Sequence, residues 1–166
     1  GAPNRQFAWH GDTVAEWADG AKPIDGQLIG LFEPSHMKFD ADRPGDPGNE
    51  PSLRDMTALA VKQLSENNKG YFLLVEAGRI DHAHHLSNAY RALGDTVALS
   101  QAVQWVVDNV DLEETLIIVT ADHSHTMTMS GYPRRGNPIL GTVEMIKGEP
   151  ILDLTGKPYT TLSYAN

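Results

Sequence analysis

The 166-residue sequence contains no cysteine. That excludes a disulfide framework and every thiolate metal site, and it leaves the redox compartment open. No run of about 18 apolar residues occurs, so no transmembrane helix is encoded. Basic residues are scarce: 13 Lys plus Arg stand against 22 Asp plus Glu, a net charge of -9. A nucleic acid is therefore not expected as a specific partner, because counterion release needs a basic face. The opening Gly1-Ala2-Pro3-Asn4-Arg5 lacks the regions of a signal peptide, and no initiator Met precedes it. A mature product and an excised piece would both look like this.

What is present points to a globular chain of one-domain size, 40% hydrophobic and 21% charged. The seven His stand out in so acidic a sequence. Five of them, His82, His84, His85, His123 and His125, fall in two short clusters beside acids. Imidazole and carboxylate together, without thiols, suit zinc, magnesium or manganese.

The chain reads as one partial α/β domain, residues 1–166. Residues 1–27 have weak periodicity and are expected to be an irregular lead-in with one helix at most. Residues 28–129 carry the sheet-and-helix core. Leu28-Ile29-Gly30-Leu31-Phe32 reads as a short buried strand, and the Asp, Pro and Gly between Asp40 and Pro51 mark a surface loop. Ser52-Leu53-Arg54-Asp55 resembles a capping box and opens a helix in which Leu53, Met56, Ala60 and Leu64 recur at helical spacing. Tyr71–Val75 and Thr115–Thr120 are continuous apolar runs, predicted as strands. Between them Ala89, Leu93, Val97, Val103, Val106 and Val110 mark one face of a long helix over residues 88–109. Strand, helix, strand predicts a βαβ unit in a mostly parallel sheet with flanking helices. Residues 130–166 form a Gly- and Pro-rich tail in which Ile139-Leu140 and Tyr159–Tyr164 are expected edge strands.

Parallel pairing would bring the C-terminal ends of both central strands to one sheet edge, where open α/β sheets place their ligand sites. Glu76 and Asp81 leave the first strand, and Asp122 and His123 leave the second. The two clusters are thus expected to meet in space. If residues 81–85 make a helical turn, Asp81 and His85 share a face at i and i+4 and converge on one ion. Glu76, several residues away at the strand end, suits a different and harder ion. The bland alternatives are a solvated His-rich loop and an Asp that caps a helix. Two such clusters at one edge favour a metal site.

Val75-Glu76-Ala77-Gly78-Arg79-Ile80-Asp81-His82-Ala83-His84-His85 and Val119-Thr120-Ala121-Asp122-His123-Ser124-His125 resemble the metal-binding segments of alkaline phosphatases. Leu31-Phe32-Glu33-Pro34 through Met37-Lys38, Gly131-Tyr132 through Arg135-Gly136-Asn137, and Lys157-Pro158-Tyr159-Thr160 are similar to the animal-type branch. The resemblance covers residues 7–166. It implies that Asp81 and His85 bind a first zinc, Asp122 and His123 a second, and Glu76 a magnesium. His82, His84 and His125 match non-ligand positions, with roles in outer hydrogen bonding or solvation. Glu33 matches no metal position and reads as a structural cap. Arg79, Arg134 and Arg135 read as solvated or ion-paired rather than phosphate-binding. The implied reaction is metal-dependent hydrolysis of phosphate monoesters. In the family a zinc-activated serine attacks phosphorus, with two ions clamping the entering and leaving oxygens. The intact protein is expected to dimerise and to act on the extracytoplasmic side, whether secreted, periplasmic or cell-surface. Any membrane anchor would lie outside this segment.

The chain also departs from the family. The nucleophile belongs to an Asp-Ser-Ala motif, and no Asp-Ser pair occurs here. No His follows His125, so the distal ligand of the first zinc is also missing. Ser124, beside His123, carries no mark of activation and reads as structural. No catalytic residue is therefore assigned within this chain, and the 166-residue piece is expected to be inactive alone. The alternative is a non-catalytic metal-binding or interaction module on the same fold. A phosphodiesterase or sulfatase of the wider superfamily ranks third, since those differ around Glu76 and across Arg134–Asn137.

Overall fold

The computed structural model of the protein describes residues 4–165. Gly1, Ala2 and Pro3 of the opening segment, and Asn166, lie outside the described residues. By packing, the chain divides into two compact units, one of the residues up to Arg79 with Gly94–Val119, the other of Ile80–Leu93 with the residues from Thr120 on.

In the first unit, strands β1 (Arg5–Ala8) and β2 (Gln27–Gly30) pair in parallel, Arg5 opposite Gln27 and Ala8 opposite Gly30. Helix α1 (Gly11–Asp19) connects them, so residues expected to be irregular form a compact strand–helix–strand unit. Their signal is faint because α1 buries only Val14 and Trp17 and β1 only Ala8. Gly20 ends α1 in the left-handed region at φ 83°, a conformation glycine adopts without a Cβ penalty. Gly11 is required for a different reason: a Cβ there would stand 2.3 Å from the Asn49 carbonyl oxygen, which its own N–H contacts at 2.7 Å.

Helix α2 (Leu53–Leu64) starts where the capping signature places it. Ser52 Oγ accepts from the Asp55 N–H at 3.1 Å and donates to the Asp55 carboxylate at 2.6 Å. Leu59 of α2 joins Ala8, Val14 and Trp17 in the core of this unit, with Ile24, Leu28 and Phe32 packed around them. Burying aliphatic side chains such as Val14 and Leu59 stabilises the unit by roughly 1.5–3 kcal/mol each.

The predicted central βαβ does not form as read. Tyr71–Val75 and Thr115–Thr120 have no strand pairing among the described residues. Exposure alternates over their first four residues, with Phe72 88% and Leu116 84% exposed and Leu73 and Ile117 half-buried. Apolar β-branched sequence favours the extended chain, but a strand exists only where a neighbour accepts its ladder of hydrogen bonds. The parallel pairing of this α/β chain is instead the β1–β2 pair.

The long helix is present as α4 (Ala89–Asn109), with the Asn88 side chain accepting from the Arg91 N–H at 3.1 Å. Its buried positions are Ala92, Asp95, Ala98 and Ala102, while Val97 is 55% exposed. The inward stripe thus consists of small residues, offset from the valines that carry the sequence signal.

The second unit holds helix α3 (Arg79–His85) from Ile80 onward and a β-pair, β3 (Met127–Met129) antiparallel to β4 (Leu162–Tyr164). β4 lies within the expected Tyr159–Tyr164 strand. Ile139-Leu140 instead sits in a turn closed by Gly141 N–H to Pro138 O at 3.0 Å. Val143 is fully buried, its N–H bonded to Tyr159 O at 2.9 Å and its carbonyl accepting from Ile151 N–H at 2.8 Å. The Asn137 amide ties this tail together, donating to Thr142 O and Thr161 Oγ1 and accepting from the Glu144 N–H.

Candidate metal centre

Helix α3 supplies one wall of the site. Ala83 is fully buried and anchors the helix, which turns Asp81, His84 and His85 to a common face at i, i+3 and i+4. The second wall is the loop after Thr120, leading into β3 and carrying Asp122, His123 and His125. The two clusters, some forty residues apart, meet in the second unit as the sequence predicts. They are joined by the helix–loop arrangement rather than by paired strand ends.

The Asp81 carboxylate is the centre. Its Oδ1 lies 2.8 Å from His125 Nε2, 3.4 Å from His85 Nε2 and 3.5 Å from His123 Nε2. His123 Nε2 is also 3.5 Å from Asp122 Oδ2. Zinc bound tetrahedrally at 2.0–2.1 Å separates its ligand atoms by about 3.3–3.4 Å. The separations to His85 and His123 match that edge. The His125 distance is a hydrogen bond, too short for two ligands of one ion. Asp81, His85 and His125 place one ligand atom each within 4.8 Å of one another; with His125 taken up as a hydrogen-bond partner, Asp81 and His85 are the carboxylate–imidazole pair of this group that suits zinc.

The imidazoles are oriented by their other nitrogens. His123 Nδ1 lies 3.1 Å from the Ser124 carbonyl oxygen, so with the proton on Nδ1 the Nε2 lone pair faces the two carboxylates. His125 stands at the middle of a ring cluster, stacked on His84 with centroids 4.8 Å apart and edge-on to His85 and His123. His84 Nδ1 in turn lies 2.9 Å from Tyr164 Oη.

These contacts set the charge states. The hydrogen bond from His125 holds the Asp81 carboxyl below its ordinary range, against the opposing effect of burial and with the field of His85 assisting. The bond to Ser124 O and the neighbouring Asp122 raise His123 above the usual histidine range. Burial, then His125, lowers His84. An ionised Asp81 is ready to ligate, whereas His123 must release its proton first, so acid competes with a cation here.

The other expected site residues are placed as follows. Glu76 lies in the first unit, exposed at the end of the 71–75 segment. His82 is half-buried on α3, and Ser124 is exposed. Arg134 is ion-paired with Glu144 at 2.9 Å, and Arg79 lies over the Phe39 ring at 3.8 Å.

Two features escaped the sequence reading. Tyr164 lies eighty residues from His84, the histidine it meets, and only the β3–β4 register brings it there. The other is a carboxylate cluster in the first unit. Glu33, Asp46 and Glu50 present ligand atoms within 4.8 Å of one another, an all-oxygen set of the kind hard cations take. Lys38 pairs with Glu33 and reaches Asp46 at 3.7 Å. Glu50 is 2% exposed; one oxygen accepts from the Lys38 N–H at 2.8 Å, and the other has no hydrogen-bond partner among the described residues. Its members are spread through a Pro/Gly loop with no diagnostic spacing.

A sequence-family model described as alkaline phosphatase matches residues 10–166. The chain is 44% identical over 147 residues to a membrane-bound alkaline phosphatase of Bombyx mori, covering 89% of this chain and 25% of that protein. It is 45% identical over 139 residues to the tissue-nonspecific isozyme of Felis catus and 42% identical to that of Homo sapiens, covering 84% of this chain and 25% of each of those proteins. The chain thus spans about a quarter of the length of the curated relatives it matches.

Proposed function

The chain belongs to the alkaline phosphatase family, and from that premise we propose that it is a single partial domain carrying the metal-binding segments of a metal-dependent phosphomonoesterase. The observation that carries the proposal is the pairing of Asp81 with His85 and of Asp122 with His123 at the ligand spacing of zinc. Asp81 and His85 would hold one zinc, Asp122 and His123 a second, and Glu76 a magnesium. Bound there, the ions supply electrostatic stabilisation of an in-line displacement at phosphorus. The residues of this chain do the holding. Asp81 provides an anionic oxygen that stays ionised, His125 donates to that same oxygen, and Ser124 O fixes the ring of His123. The serine nucleophile and the distal histidine are not among these 166 residues, so turnover requires residues outside them. The intact protein is read as a dimer acting on phosphate monoesters on the extracytoplasmic side; a membrane-bound insect relative supports that side.

The test is p-nitrophenyl phosphate hydrolysis at alkaline pH with added zinc and magnesium, run beside zinc-binding calorimetry, on a sample of confirmed intact mass. The expected result is zinc binding without turnover. Turnover at the confirmed mass overturns the nucleophile argument and makes Ser124→Ala the next variant. Absence of zinc binding overturns the metal assignment.

A further inference from the structure

The site contains a layer that no ligand assignment uses. Tyr164, His84 and His125 make a continuous chain of contacts to Asp81. Tyr164 Oη meets His84 Nδ1 at 2.9 Å. The His84 ring stacks on the His125 ring with an interplanar angle of 26°, and His125 Nε2 meets Asp81 Oδ1 at 2.8 Å. We infer that Tyr164, acting through His84, is a positioning residue that locks the His125 ring and thereby aims the Asp81 carboxylate at its cation. The inference rests on the reading of Asp81 as a metal ligand.

The fold explains why a tyrosine at this distance in sequence suits the task. β4 is pinned to β3 with Tyr164 directly opposite Met127, and the Ala165 N–H bonds Thr126 O at 3.1 Å. Tyr164 is thereby tied to the residues immediately after His125. Helix α3 places His84 at i+3 from Asp81, so ligand and outer layer ride on one rigid element. Burial raises the Tyr164 phenol above its ordinary range, which keeps the hydroxyl protonated and able to donate. With Tyr164 as donor, His84 carries its own proton on Nε2 and remains a neutral ring. A neutral ring stacks on His125 without adding a charge beside the ion. His125 has only 18% of its side chain exposed, so water cannot readily replace the stack. Without the layer, His125 would still reach Asp81, but its ring plane would be free to swing about the bond to Cβ. Outer partners of this kind typically change metal affinity by about 10–100-fold.

The experiment uses the 166-residue chain loaded with Co2+ in place of zinc, reading the visible absorption of the bound ion together with zinc affinity by competition. Tyr164→Phe keeps the ring and removes the hydroxyl. It is expected to lower zinc affinity about tenfold and to shift the cobalt bands, with the far-UV circular dichroism and melting of the metal-free chain unchanged. His84→Gln, on the helical side, serves as a second variant. It should lower affinity comparably, and the Tyr164→Phe/His84→Gln double variant should be no worse than His84→Gln alone, since both act on one pathway. Unaltered affinity and spectrum in Tyr164→Phe, or additive losses in the double variant, overturn the inference. Absence of a cobalt spectrum from the unaltered chain instead overturns the metal reading beneath it.

Discussion

Glu50 shows how a single side chain sets a pH dependence. It is buried beside two other carboxylates, and burial raises its pKa, with Asp46 and Glu33 adding to the effect and the Lys38 N–H opposing it. A carboxyl whose folded pKa lies above its unfolded one contributes most below the unfolded value, near pH 4. That contribution is lost as pH rises through the folded value. Glu50→Gln keeps an acceptor for the Lys38 N–H and removes the buried charge. In the presence of a chelator the variant is therefore expected to melt above the parent at pH 7.5 and together with it at pH 4. Parallel thermal melts at the two pH values check this, and a variant that melts lower at pH 7.5 would show the ionised carboxylate to be stabilising. The same scale applies to the candidate metal centre, where the hydrogen bond from His125 and the histidines nearby hold the Asp81 carboxyl below its ordinary range.

At the scale of elements, the capping of α2 is the clearest case of local sequence deciding local structure. Ser52 satisfies the Asp55 N–H, and the Asp55 carboxylate accepts from the serine hydroxyl. Ser52→Ala removes both and leaves an orphan donor at the helix start. It is expected to cost about 1 kcal/mol, measurable as a shift in urea midpoint. Asp at this position in place of Ala should restore the loss, because its carboxylate can accept from the same N–H. Helix α3 works differently. Its seven residues have little intrinsic stability, and it stands because Ala83 is buried and the Leu86 N–H and Asn88 N–H close its end on His82 O and Ala83 O. The site therefore depends on tertiary packing for the very turn that pairs Asp81 with His85.

For the whole molecule, the decisive feature is the exposed apolar surface of the two unpaired extended segments. Leu74, Val75, Ile118 and Val119 are exposed along with Phe72 and Leu116, and their backbones offer open ladders to any neighbouring chain. Thr115–Thr120 combines β-branched residues with no charge or proline, the composition of a segment that pairs with itself. The 166-residue chain is expected to self-associate reversibly with concentration, and a Leu116→Lys/Ile118→Lys variant should shift it toward monomer in sedimentation velocity. An unchanged distribution would place the association elsewhere.

Much of the architecture was legible before any coordinates. The boundaries of α4 and the cap of α2 follow from short-range signals: periodicity over several turns, and Ser three residues before Asp. Asp81 and His85 follow from helical spacing, and the two His-rich segments, Glu76 through His85 and Asp122 through His125, carry their chemistry in composition alone. Local interactions determine such features, so a window of ten or twenty residues holds them completely. Other features needed the tertiary structure. The pairing of β1 with β2 across α1, the stripe of Ala92, Ala98 and Ala102 buried in place of the valines, and the failure of 71–75 and 115–120 to pair all depend on which neighbour is present. The approach of Tyr164 to His84 and the burial of Glu50 beside Asp46 and Glu33 depend on register and chain path. Sequence by itself determined which residues can ligate, cap or extend. Only the fold decided which of them meet, because contact between distant residues is fixed by the packing of whole elements and leaves no mark on local spacing.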